Sequence, residues 1–435
     1  MKLSHSNKLC ARTEGTAKHV TTVGRAHKRR VGSRYLTQFL FVILGGLAIT
    51  QTPAYASGLV LDEDFSPSLN GRVREIVVQP DDQVLIGGEF TTIDGVSASR
   101  FARLTKDGAV DSTLQTGIAA DDGVFAIALQ DDGKIIVGGI FTKFSGFNAE
   151  RIARINSNGT FDSSFSPSGG NGGASSGIYE IYVTSNGQII AAGDFLTFNS
   201  VVKERIVKLN ANDGSIDTTF NLEFNNRSTK IISIDNNELL VTGFFTTITA
   251  PQVNSYTRRR VGAITENGSV LTKFNGPGAN NLVWAAAKLA NGQVMIGGDF
   301  TSYNGFAITR LALFNSDHTL NTDFQATANG RIRALLPVGN DKILLGGDFT
   351  EINGIARPYL AMINRDGSLD TEFDITPSSF VDSLAQDSKG NVYIGGVFTE
   401  VNNTTHENIA RLKLEDDELC IVIKIKNGGL AIPCL

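Results

Sequence analysis

The sequence predicts an all-β chain: a seven-bladed β-propeller of four-stranded antiparallel blades, its ring closed by an N-terminal strand, with a short β-hairpin at the C-terminus. Three observations carry this. One five-residue phrase recurs seven times at a nearly constant step. Each copy sits in the same succession of short β-rich runs and Asp/Asn-Gly turns. The last copy lacks its final run, and a matching run stands ahead of the first copy.

The phrase is Gly-Gly-x-Phe-Thr. It reads Gly87-Gly88-Glu89-Phe90-Thr91, then Gly138-Gly139-Ile140-Phe141-Thr142, and returns from Gly297, Gly346 and Gly395. Ala192-Gly193-Asp194-Phe195 and Thr242-Gly243-Phe244-Phe245-Thr246 are weaker copies. The phenylalanines fall at 90, 141, 195, 245, 300, 349 and 398. A period of about fifty residues marks a repeat architecture.

Residues 1–56 differ in kind. They hold nine Lys and Arg against Glu14 alone, then the apolar run Phe39–Ile49, then Ala54-Tyr55-Ala56. This is the pattern of a secretory signal peptide with a long basic lead-in. The apolar run is short for a bilayer span. The alternatives are an uncleaved anchor or, from Arg29-Arg30, twin-arginine export; the residues after that pair favour the general route. Without this leader 30 basic and 43 acidic residues remain, a net charge of −13. Such a balance argues against nucleic acid and anionic membranes as partners. A secreted, periplasmic or cell-surface protein is expected, with no membrane span after cleavage.

Residues 57–415 form the repeat region. In its first unit, Val73–Val78 is a β-rich run, Gln79–Asp82 a turn and Gln83–Phe90 a second run. A polar connection over 92–99 leads to Arg100–Leu104, a turn at Lys106-Asp107-Gly108 and a fourth run, Val110–Leu114. Four short strands with turn residues between them make an antiparallel meander. Seven meanders describe a propeller. The seventh unit ends after Asn408–Leu412, and Val60–Phe65 is the run that completes it. Borrowing that strand removes open sheet edges.

The paired glycines let neighbouring backbone approach where a side chain collides. The phenylalanine anchors one blade on the next. The variable residue between them is read as structural and free to change.

Residues 416–435 carry Cys420 and Cys434 around two apolar runs and Asn427-Gly428. Asn-Gly between such runs signals a hairpin. Two cysteines in an exported protein suggest a Cys420–Cys434 disulfide.

Taken together, Gln-Pro-Asp-x-x-Val-Leu-Ile-Gly-Gly-x-Phe-Thr, then Ala-Arg-Leu, Asp-Gly and Asp-x-x-Phe resemble the delta-60 repeat of secreted and surface bacterial β-propellers. The resemblance spans about residues 60 to 412 and is weakest in the third and fourth units. It implies the propeller fold and assigns no catalytic residue.

Chemistry is sparse. Outside the leader only His318 and His406 remain, in different repeats, and both are expected as exposed loop residues. A Ser-His-Asp triad or a histidine zinc site is therefore not expected. Asp299 and Asp348, each five residues before an Asn-Gly, raise a calcium alternative; turn formation accounts for the same residues, and no cofactor or metal ligand is assigned.

The informative positions are variable ones within the frame. Fourteen residues before the second glycine stand Arg74, Phe125, Tyr179, Thr229, Trp284, Arg333 and Asp382. In a propeller these starts of the innermost strands rim the central channel. Arg74, Phe125, Tyr179, Trp284, Arg333 and Asp382 are the ligand-binding candidates, suited to a small polar or sugar-like molecule; the alternative is that they only pack the channel mouth. The connections 91–99, 142–150 and 246–258 open on the same face, as binding loops do. The expected function is an exported, non-catalytic binding propeller for an extracellular protein or glycan. The alternative is a hydrolase or lactonase with a divalent metal in the channel, for which Asp382, Glu75 and Glu180 are a thin cluster. A quinone-dependent dehydrogenase fits poorly with the single Trp284.

Overall fold

The computed structural model describes residues 58–114, 119–165, 177–250, 254–414, 422–425 and 428–431. Residues 1–56, expected as a leader, and Cys420 and Cys434 of the expected disulfide lie outside them. Among the described residues every regular element is a β-strand, and no helix is long and apolar enough to cross a membrane. Residues 54–417 form one compact unit and residues 1–53 with 418–435 another. In the latter, Val422–Ile425 pairs antiparallel with Gly428–Ala431. Gly428 is thus a strand residue opposite Ile425 rather than part of the turn.

In the large unit each repeat builds one main sheet. Val73–Val78, Val84–Gly88 and Phe101–Leu104 pair antiparallel, in that order. The middle strand is buried along its whole length, which is why its sequence is continuously apolar rather than alternating. The first strands of the other sheets begin at Val124, Ile178, Ser228, Val283, Ile332 and Val381. Each first strand lies against the first strand of the following sheet, and Val73–Val78 lies against Val381–Gln386 of the last.

The four-stranded expectation is corrected. Six of these sheets have three strands. The Asp-x-x-Phe run contributes only single bridges such as Leu104↔Val110 and Ile155↔Phe161. The aspartate is the cause. Asp111 Oδ1 accepts from the Thr113 amide at 2.8 Å, and Asp162 Oδ1 from the Ser164 amide at 3.0 Å. A side chain that captures the backbone two residues on curls the chain into a turn and ends the ladder. Among the described residues the one fourth strand is Leu59–Leu61, paired with Ile409–Leu414 of the last sheet.

The polar connection after Gly-Gly-x-Phe-Thr is a small hairpin of its own. Thr92–Ile93 pairs with Val96–Ser97 across Asp94 (φ 50°) and Gly95 (φ 75°). Two positive φ values are the type I′ geometry suited to a two-residue hairpin. The threonine of the phrase holds it in place. Asn70 Oδ1 accepts from the amides of Thr91 and Thr92, at 2.7 and 2.9 Å, and Asn70 Nδ2 donates to Thr91 Oγ1. Asn225, Asn280 and Asn329 repeat this clamp.

Both histidines are buried, against expectation: His318 is 7% exposed and His406 1%. His318 stacks edge-on to Phe274 at 5.1 Å. His406 occupies the core position of Ala98 and Ala149, since each donates its amide to the first residue of the small hairpin's approach.

Candidate functional site

Every first strand carries a β-bulge, always at the same place. Val73 pairs with Gly88 and Glu75 with Gly87, so Arg74 has no partner across the ladder. The register skips Phe125, Tyr179, Thr229, Trp284, Arg333 and Asp382 in the same way. These are the seven aligned positions. A bulge re-aims the residue it leaves unpaired, and all seven side chains line one cavity of about 570 Å³.

The second glycine creates the bulge's tight neighbour. A Cβ on Gly88 would stand 2.0 Å from the Arg72 carbonyl oxygen, and one on Gly139 2.0 Å from that of Gly123. With that carbonyl seated on the glycine, the amide one residue later bonds it: Glu89 N donates to Arg72 O at 2.8 Å. The strand start is thereby pinned and the extra residue is extruded toward the cavity.

Around the mouth, planar cationic and aromatic groups touch in sequence. The Arg74 guanidinium lies 5.2 Å from the Phe125 ring, and Phe125 stacks on Tyr179 at 5.4 Å with 6° between planes. Arg227 sits between Tyr179 (4.8 Å) and Phe244 (4.2 Å), and Phe244 meets Trp284 edge-on. Arg331 covers Trp284 at 4.8 Å, while Arg333 and Arg72 flank Phe380 at 4.7 and 5.0 Å.

Carboxylates fix each arginine. Asp382 takes Arg72 through two bonds of 2.7 and 2.6 Å and meets Arg333 at 3.3 Å. Arg333 is also paired with Asp348, Arg331 with Asp299, Arg227 with Asp194 and Arg74 with Glu89. Trp284 Nε1 donates to Asp299 Oδ2 at 2.9 Å. Burial opposes the charge on Arg333, but Asp348 and Asp382 outweigh it and hold its pKa above the ordinary value. Bidentate and paired guanidinium groups keep their planes fixed.

One residue deeper along the first strands stand Glu75, Glu180 and Lys230. Lys230 Nζ lies 3.3 Å from Glu180 Oε2 and 3.8 Å from Glu75 Oε1. Glu180 Oε1 accepts from the Ile231 amide at 3.1 Å. Burial pushes the Glu180 carboxyl up to about 7, with Lys230 opposing and Glu75 adding to the rise. Burial likewise raises Glu75, against the pull of Lys230. Glu180 holds Lys230 in its charged form.

The six ligand-binding candidates are therefore brought together, with Thr229. The sequence alignment missed two further sets. The residue between glycine and phenylalanine, read as structural, includes Glu89 and Ile140 in the cavity lining, and its copies Asp194, Asp299 and Asp348 hold the arginines. Arg72, Arg227, Arg331 and Phe380, two residues before each bulge, complete the belt. Both sets were visible as variable columns of the same repeat frame. Asp299 and Asp348, the calcium alternative, direct their oxygens to arginines, while Asn304 and Asn353 accept from the Gly278 and Thr327 amides. Among the described residues no group of three or more His, Cys, Asp and Glu is placed to hold a metal ion.

Residues 79–114, 130–165, 184–220, 289–324 and 339–373 match the family described as a domain of unknown function (DUF5122) beta-propeller. Among solved structures, the WD40 repeats of RRP9 superpose with a TM-score of 0.51 at 11% identity, covering 82% of this chain and 99% of that one. The WD40 beta propeller domain of Doa1 gives 0.49 at 15% identity, with 83% and 98% covered. A streptogramin B lyase structure gives 0.48 at 18% identity, with 81% and 100% covered. No curated protein matches the sequence. The chain is an all-β, propeller-like repeat protein, similar over five of its repeats to a β-propeller family of undefined function.

Proposed function

We propose that the seven sheets close into a seven-bladed ring and that this propeller, of the delta-60 kind, is an exported binding protein without catalytic activity. Its ligand is a glycan or a protein segment presenting small polar groups, taken up at the axial cavity. Ring closure is supported by Asp62. It pairs with Arg411 and Lys413 of the last unit as Asp162 pairs with Arg154 inside the second.

The binding reading rests on one observation above all: seven bulges turn seven different side chains into one cavity. Six residue types over the seven bulged positions, with only Arg recurring, are more variety than channel packing alone calls for. The volume suits a small polar ligand, and aromatic faces beside fixed donors and acceptors are what a sugar ring needs. Trp284→Ala combined with Arg333→Ala is expected to abolish binding on a glycan or surface-protein array while keeping the β circular dichroism of the wild type, with a lower melting temperature from the loss of the Asp348 and Asp382 pairing. Unchanged binding sinks the reading.

The hydrolase alternative keeps one favourable observation, the Glu180 carboxyl raised to about 7 beside the cavity. Turnover of a bound ligand, lost in Glu180→Gln with binding retained, would establish it, and a stoichiometric divalent ion in the purified protein would point the same way.

A further inference from the structure

The charges of the cavity are divided unevenly by depth. At the mouth Arg72, Arg74, Arg227, Arg331 and Arg333 each have a carboxylate partner, two of which, Asp194 and Asp299, also face Arg205 and Arg310 at 3.6 and 3.9 Å. One residue deeper, two carboxyl groups face the single ammonium of Lys230. The remaining residues at that depth are small: Ala126, Ala285, Ala334 and Ser383. Space is therefore left on the side away from Lys230.

The two carboxylates are not equivalent. Glu180 is 6% exposed, hydrogen-bonded by the Ile231 amide and within 3.3 Å of Lys230. Glu75 keeps 24% of its side chain open to the cavity and meets Lys230 only at 3.8 Å, outside hydrogen-bond reach. No hydrogen bond to its carboxylate occurs among the described residues. A carboxylate in a partly dehydrated cavity with one distant counter-charge gains most from a further cationic donor.

Resting on the binding reading above, the geometry points to an amine-bearing saccharide as the ligand, its ammonium held by Glu75 and its ring lying against Trp284 at the mouth. The arginine–carboxylate pairs of the mouth offer donors and acceptors for hydroxyls. The aromatic belt adds to the attraction of a cation entering past it.

The test is calorimetric titration of the purified protein near neutral pH with three tetrasaccharides: β-1,4-linked glucosamine, its N-acetylated form, and β-1,4-linked glucose. The free-amine tetramer is expected to bind at least about tenfold more tightly than either of the others, the gain of one charge-assisted contact. Glu75→Gln, checked for folding by its thermal melt, is expected to bring that ratio to about one. Equal affinities in the wild type overturn the inference, as does a ratio that survives in Glu75→Gln. If the glucose tetramer binds, and Trp284→Ala with Arg333→Ala abolishes it, but the amine adds nothing, this inference fails and the binding reading stands. If none of the three binds and no array ligand is found, both fail.

Discussion

At the two glycines of each phrase the same missing side chain does two different jobs. A Cβ on the second, Gly88, would meet the Arg72 carbonyl oxygen at 2.0 Å, an atom fixed by the ladder. A Cβ on the first, Gly87, would meet Val124 Cγ1 at 2.8 Å, on the next sheet. The first contact is with backbone and the second with a side chain that can adjust. Unit three shows such an adjustment: Ala192 replaces the first glycine, and the facing position of the next first strand, Val or Ile elsewhere, is Ser228. Urea unfolding of Gly88→Ala is expected to show a loss of at least about 3 kcal/mol, or no folded protein, and Gly87→Ala a loss of about 1–2 kcal/mol, the range of ordinary overpacking. Equal losses would refute the distinction. The sequence made the need for close approach legible. It did not reveal which atom approaches, because that atom lies fifteen or more residues away along the chain.

Within each unit the element that matters most beyond the ladder is the pairing of third strand with Asp-x-x-Phe turn. Arg154, 2% exposed, donates to Asp162 at 2.8 Å and to the Asn212 carbonyl of the next unit at 2.6 Å, and its guanidinium covers Phe165 at 4.5 Å. Burial favours protonation of Asp162, yet Ser164, Lys134 and Arg154 together hold its carboxyl well below the ordinary range. Removing one partner of a buried pair strands the other charge. Lys134 at 3.1 Å softens that loss, so Arg154→Ala is expected to cost about 3 kcal/mol, the low end for such pairs, measured by chemical denaturation. A cost below about 1 kcal/mol would mean the motif is decorative. The Arg and Asp offsets were readable as a repeat pattern. That they form a pair, and that the aspartate ends a strand rather than starting one, depends on a two-residue hydrogen bond that β-rich composition conceals.

For the whole molecule, the contact between the first and last units holds both a buried ion pair and a weak point. Asp62 is 2% exposed and paired with Arg411, whose guanidinium also lies 4.8 Å from the Phe65 ring. Beside this junction His406 is buried with neither ring nitrogen hydrogen-bonded among the described residues. Burial lowers its pKa below 6.5, with Glu63 and Asp62 pulling the other way. A depressed histidine stays neutral in the fold while the unfolded chain takes up a proton, so its contribution is present above pH 6.5 and is lost as the pH falls through and below that value. The wild-type melting temperature is therefore expected to drop between pH 7.5 and 5.5 by more than that of His406→Ala, a change that restores the Ala98 and Ala149 type of core. Parallel drops in the two proteins would remove His406 from the account. Asp62 does not confuse the window. Burial works against its charge, but Arg411 and Lys413 keep its carboxyl below 3.8, so its own loss comes at lower pH.

By itself the sequence determined the all-β, propeller-like repeat class, because a fifty-residue period and local turn chemistry act over short distances and recur in every copy. It also set the seven aligned positions from Arg74 to Asp382, since one fixed frame makes a variable column visible. The burial of His318 and His406, the three-stranded sheets and the small type I′ hairpins required tertiary structure, as each depends on which distant segment covers or captures a residue. So did the partners of the arginines and the Glu75–Lys230–Glu180 cluster. Lys230 reaches carboxylates in two other units, and only the convergence of the first strands puts those charges within one ion pair of each other.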